Sequence, residues 1–218
     1  SSNTRFQSSA GAGLTAGQVP RLTLKWAFGF PNATSARALP TVFGGRVFVG
    51  SQDGTVYALD AATGCTYWAF KARAAVRTAI TISWVSTASR VSAFFGDGRS
   101  NVYALDASTG REFWSFDPQP WKTFGQPSNG TGFVHRGVAT WTNGRERRVF
   151  INSRWRLIAL DAATGSPIHS FGAHGEVDLT AGLSRAVRKE HYTNTSPPVV
   201  WGDLVIVGNG VGDRLVYR

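Results

Sequence analysis

The chain has 218 residues, 25 of them glycine, with 12% aromatic and 17% charged side chains, a profile that disfavours helical bundles and favours an all-β domain. Its formal net charge of +10 comes from basic residues scattered singly or in short groups such as 145–148, which describes a solvated surface and argues against nucleic acid as a partner. The single cysteine, Cys65, excludes an intrachain disulfide and a cysteine-built metal or haem site, and no apolar run reaches the ~18 residues of a membrane span, so the chain is not expected to be transmembrane.

In chain order, the first element is LKWAF at 24–28, which reads as the closing strand of a sheet whose earlier strands are absent. Residues 40–51 read as a hairpin turning at Gly44-Gly45. The phrase VYALDAATGCTYWAF then starts at Val56 and returns as VYALDASTGREFWSF from Val102 and LIALDAATGSPIHSF from Leu157. Its aspartates, Asp60, Asp106 and Asp161, are 46 and 55 residues apart (106 − 60 and 161 − 106), enough for four strands per copy. Within each copy a period-2 strand leads to an Asp-x-x-x-Gly turn, where the carboxylate accepts local N–H bonds and glycine takes positive φ, and an aromatic strand follows. Trp68 and Trp114 hold equivalent places and His169 replaces them in the third copy. Residues 116–135 read as a Pro/Gly-rich loop, 172–194 as an insertion with one short helix, and 197–209 as a further inner hairpin. The expected fold is all-β: a partial β-propeller of four-stranded antiparallel blades, about three blades plus parts of two others, in one domain spanning 1–218. The blades are expected near 38–71, 76–117 and 135–172, with an incomplete one at 196–218.

The phrase DGTVYALDAATGCTYWAF resembles the repeat of the pyrroloquinoline quinone (PQQ)-dependent dehydrogenases, and the opening residues 3–31 resemble the start of the polyvinyl alcohol branch. From Trp121 onward, HRGVATW, RLIALDAATGSPIHSFG, VDLTAGL and TSPPVVWGDLVIVGNGVGD are similar to the glucose and alcohol dehydrogenase branches. The resemblance implies the N-terminal part of a quinoprotein dehydrogenase. That enzyme would hold PQQ with calcium or a related hard cation, oxidise a small-molecule or polymer alcohol or a sugar, pass electrons to cytochrome c or ubiquinone, and work in the periplasm. It also implies site residues. Arg136, in His135-Arg136-Gly137-Val138, matches the family's anchor for a cofactor carboxylate. Thr195 matches its cofactor-bonding hydroxyl and Asp213 its metal carboxylate, with the family's separation of 18 (213 − 195). Gly210, Val211 and Gly212 match the backbone that approaches the quinone.

Against these stand plainer readings: an arginine tying down a loop, and a glycine-rich turn ending in a solvated aspartate. The chain also departs from the family pattern. Gly130-Thr131 stands where many members carry adjacent cysteines, and Arg37 where a glutamate is usual. No catalytic residue is assigned, since the family's aspartate base, tryptophan floor and a further metal-binding asparagine belong to blades expected beyond Arg218. The rivals are a non-catalytic propeller of this repeat serving as a protein-binding scaffold, as in outer-membrane assembly lipoproteins, and an inactive fragment. Four histidines without paired spacing, and the lack of nucleophile-elbow or P-loop motifs, set aside zinc hydrolysis, serine hydrolysis and phosphate transfer.

Overall fold

The computed structural model describes residues 8–125, 132–133, 136–184 and 186–210. Three four-stranded antiparallel sheets follow one another along the chain, each a simple meander. The first holds β1 (Thr41–Phe43), β2 (Arg46–Gly50), β3 (Thr55–Asp60) and β4 (Thr66–Lys71). β5 (Thr81–Val85), β6 (Arg90–Gly96), β7 (Val102–Asp106) and β8 (Glu112–Phe116) form the second. In the third are β9 (Ala139–Thr142), β10 (Arg147–Ser153), β11 (Arg156–Asp161) and β12 (Glu176–Asp178). A two-stranded hairpin, β13 (Val199–Trp201) and β14 (Leu204–Ile206), opens a fourth. The first strands β1, β5, β9 and β13 are successive neighbours, so the sheets radiate from a common axis as propeller blades.

Period-2 alternation explains why the blades stack. On β7, Tyr103 and Leu105 face the first blade's Val56 and Ala58, while Val102 and Ala104 face the third blade's Ile158 and Leu160. On the third blade's other side, Leu157 and Ala159 pack toward Val200 and Val205 of the hairpin. Each repeated strand therefore supplies both of its faces to core, and burying one such branched or aromatic side chain contributes about 1.5–3 kcal/mol.

The repeated turn keys one blade to the next. Trp68 Nε1 donates to Ala107 O at 3.2 Å and Trp114 Nε1 to Ala162 O at 3.1 Å. Each ring lies flat on the glycine of the neighbouring turn: a Cβ on Gly110 would fall 2.6 Å from Trp68, and one on Gly165 would fall 2.5 Å from Trp114. Trp26 repeats the contact on Gly64 and donates to Ala61 O at 3.2 Å. Residues 24–28 thus dock as a closing strand would, with Phe28 edge-on to Tyr57 at 5.0 Å, although they enter no ladder. Arginines add a second tie between blades. Arg46 donates to Ala107 O and Ser108 O, and Arg90 donates to Ala163 O while covering the Phe113 ring at 3.5 Å.

The third blade departs from expectation. Residues 166–171 begin to pair as the earlier copies do, through a bridge between Leu160 and Pro167, but the ladder stops and the outer strand is β12 at Glu176–Asp178, beyond the expected limit of 172. Pro167 has no N–H to give the ladder, and turns at Gly172 and Gly175 bring the chain back. His169 is accordingly exposed rather than docked. The expected helix in 172–194 is not formed among the described residues, whereas the 116–135 connection carries a single helical turn, Trp121–Phe124.

Gly110 sits at φ +75 under the Trp68 ring, so Gly110→Ala meets both a left-handed backbone and a blocked contact. It is expected to lower unfolding stability by about 2–4 kcal/mol, read as a shift in the urea midpoint. An unshifted midpoint would refute the docking account.

Candidate functional site

Antiparallel meanders give the propeller two rims. The Asp-x-x-x-Gly turns between third and fourth strands lie on one. The turns between second and third strands, and the connections from blade to blade, lie on the other. All sequence-predicted site residues that the structure describes fall on this second rim.

Gly137 and Val138 lead into β9. Val138 is buried in the core between the second and third blades, and its carbonyl accepts from Thr81 Oγ1 at 3.2 Å. Gly137, at φ +152, leaves just enough room for the ring of Pro197, whose Cβ would be 3.1 Å from a Cβ at that glycine. The Arg136 and Thr195 segments are therefore in direct contact through their neighbours. The Arg136 side chain is exposed. His135, Val211, Gly212 and Asp213 lie outside the described residues.

The Thr195 segment is held from three directions. Gly210 N donates to Thr193 O at 2.7 Å, and a Cβ at Gly210 would lie 2.7 Å from Thr193 Oγ1, so only glycine lets the exit of β14 approach this closely. Asn152 Nδ2 donates to Ser196 O at 2.6 Å. Asn209 bonds the buried phenol of Tyr192, whose pKa burial pushes up. The preceding connection is pinned by Asp178, which accepts from Thr180 N and Oγ1 and pairs with Lys189. Burial raises the Asp178 carboxyl pKa, but Lys189 and Thr180 outweigh it and hold the group below its usual 3.8.

Beside Thr195 opens a polar hollow of roughly 250 Å³ counting its mouth, lined by Ser100, Asn152, Arg154, Thr193 and Asn194 among others. Asn152 Oδ1, Arg154 Nε and both polar side-chain atoms of Asn194 are buried with no partner among the described residues. Sequence reading passed these residues over. One signal was present: nine residues before each repeated aspartate stand Ser51, Asp97 and Asn152, polar in all three copies and buried in all three. Asp97 is satisfied internally, by Asn101 and by the Tyr103 hydroxyl at 2.9 Å, whereas Asn152 is not. Among the described residues no cluster of three metal-ligating side chains occurs and no helix is long and apolar enough to cross a membrane.

A family model described as PQQ glucose/ethanol/alcohol dehydrogenase, β-propeller domain, matches residues 89–218, more than half of the chain. A polyvinylalcohol dehydrogenase of Pseudomonas sp is 44% identical over 97 residues, 44% of this chain and 15% of that protein. A probable quinate dehydrogenase (quinone) of Xanthomonas campestris pv. juglandis is 47% identical over 77 residues, 35% of this chain and 10% of that one. The matched segments thus span a small part of these relatives' lengths. Among solved structures, BamB from Moraxella catarrhalis superposes with a TM-score of 0.55 at 17% identity, over 76% of this chain and 44% of that one, which shows the shared fold.

Because the folded carboxyl of Asp178 is depressed, its contribution to stability is present above about pH 4 and lost as the pH falls through the folded value. Asp178→Asn should therefore be less stable than the parent chain at pH 7, with the gap closing by pH 3, in denaturant titrations at both pH values. An equal gap at both would show that Asp178 is not held as a paired carboxylate.

Proposed function

The chain belongs to the PQQ β-propeller domain family of glucose, ethanol and alcohol dehydrogenases, and from that premise we propose that it forms the N-terminal part of a quinoprotein dehydrogenase oxidising alcohol or sugar hydroxyls. The observation that supports this most is the meeting, on one rim, of the Arg136-Gly137 segment with the Thr195 segment and Gly210, the two ends of a hairpin that lies some sixty residues further along the chain. The rim also suits a ligand that both donates and accepts hydrogen bonds, since the buried amides of Asn152 and Asn194 hold two acceptor oxygens and one donor with no protein partner.

In this reading Arg136 offers a carboxylate its two-donor fork from an exposed position, and Thr195 adds a hydroxyl donor. Gly210, Val211 and Gly212 let backbone approach a flat ring system that side chains would keep away. Asp213 gives carboxylate oxygens to calcium or a related hard cation. When bound, PQQ supplies the two-electron acceptor and the cation polarises it. The same reading assigns a small-molecule or polymer alcohol as substrate, in keeping with the polyvinylalcohol and quinate named for the relatives. It assigns cytochrome c or ubiquinone as the electron acceptor and the periplasm as the location.

Titration of the chain with PQQ and calcium, followed by calorimetry, tests the assignment. Arg136→Ala and Asp213→Ala are each expected to weaken PQQ binding by roughly tenfold or more, with the calcium dependence lost only in Asp213→Ala. Absence of PQQ binding by the unsubstituted chain would remove autonomous cofactor binding and leave the scaffold and the inactive fragment as the readings.

A further inference from the structure

The hollow beside Thr195 carries polar chemistry that the residues assigned above do not use. Asn152, Arg154 and Asn194 are 4%, 5% and 6% exposed, and all three face the hollow with unsatisfied atoms. Arg154 is the most telling. Its Nη1 donates to Gly125 O at 3.1 Å and its Nη2 to Glu190 O at 2.7 Å, while the rings of Phe124 and Trp155 flank it at 5.8 and 5.4 Å. No carboxylate pairs with it among the described residues, and that of Glu190 is taken by Arg188. Burial disfavours the Arg154 charge, and the Glu190 carboxylate, already paired with Arg188, acts on it only at a distance without forming a salt bridge, so the buried guanidinium is incompletely compensated and favours an anion.

The free atoms also say what kind of anion. Arg154 Nε and Asn194 Nδ2 are donors, while Asn152 Oδ1 and Asn194 Oδ1 are acceptors. A bare carboxylate satisfies only the donors. A carboxylate flanked by an O–H or N–H satisfies both sets. The enclosed part of the hollow takes little more than a group the size of a water molecule, so such a ligand would enter by its carboxylate edge.

We propose that Arg154, Asn194 and Asn152 form a subsite for a carboxylate with an adjacent hydrogen-bond donor. Two ligands bear that chemistry: the pyrrole-2-carboxylate edge of PQQ, which rests on the reading above, and a hydroxy-acid substrate, which does not. Trp155 beside Arg154 provides a fluorescence reporter.

The full chain would be titrated, at constant ionic strength against sodium chloride, with PQQ, with pyrrole-2-carboxylate and with quinate, using the parent and Asn194→Leu. The expected result is saturable binding of at least one small carboxylate, weakened by roughly tenfold or more in Asn194→Leu. If pyrrole-2-carboxylate binds and PQQ weakens in parallel, the cofactor is the source; if only quinate responds, the substrate is. Either outcome supports the subsite, and the second does so even if PQQ never binds. Unchanged binding of every probe in a folded Asn194→Leu, or no binding of either small carboxylate to the parent, overturns it. PQQ binding that is lost in Arg136→Ala and intact in Asn194→Leu would remove the cofactor as the subsite's occupant while sparing the family assignment, and the subsite would then stand or fall on quinate. Should Asn194→Leu fail to fold, Arg154→Lys, which keeps the charge and removes Nε, is read by the same criteria.

Discussion

Everything in this propeller depends on a tryptophan laid flat on a glycine of the next blade. The glycine stands four residues after each repeated aspartate and, in the first two copies, a tryptophan stands eight after it, so there one short phrase both offers a ring and receives one. Trp26, Trp68 and Trp114 lie on Gly64, Gly110 and Gly165, and each indole N–H finds a carbonyl in the turn it covers. The contact works only at positive φ without a Cβ, and it fixes both the spacing and the rotation between sheets. With sheets so keyed, alternation on β3, β7 and β11 fills the spaces between them, and the alanines Ala58, Ala104 and Ala159 are fully buried in them.

This arrangement divides the labour between rims. On the keyed rim the aspartates are consumed locally: Asp60, Asp106 and Asp161 each accept from the backbone N–H groups two and three residues ahead. Hydrogen bonds from Tyr67, first, and Thr63 lower the Asp60 carboxyl to about 2, which marks a carboxylate committed to its turn. On the opposite rim the equivalent positions diverge. Asp97 is fully answered by its own turn, yet Asn152 in the next blade keeps an oxygen unanswered beside Arg154 and Asn194. A repeat that is strict where blades lock together and free where they do not can carry a site without loosening the stack.

The sequence was legible where a local rule acts alone. The Asp-x-x-x-Gly turn, the two-faced strand and the inner hairpins could all be read, because turn chemistry and period-2 burial act over a few residues. The third blade was misjudged because Pro167 and two glycine turns override the phrase they interrupt, and the closing strand returns only at Glu176–Asp178. The ties of Arg46 and Arg90 to neighbouring turns were invisible, since a lone arginine at the first position of a strand looks like surface charge. They also show that part of the chain's basic excess serves to join blades. The hollow was hidden for a related reason: its residues gather from four separate connections, and the lack of partners at three of those residues exists only in three dimensions.

The separation of Thr195 from Gly210 has a reason in the fold. In the last hairpin Val199 pairs with Ile206, and Trp201 with Leu204 across a two-residue turn. Thr195 lies four residues before that first pair and Gly210 four after the second strand ends, so both ends of the hairpin return to one rim at matching depth. The bond from Gly210 N to Thr193 O closes the loop. A spacing between a hydroxyl residue and the glycine run that follows is therefore a measure of hairpin length. Inserting one residue into either strand would shift the register and turn alternate side chains to the opposite face. The separation is thus held by the ladder itself, and a motif spread over some fifteen residues (210 − 195) behaves in space as one short stretch of wall.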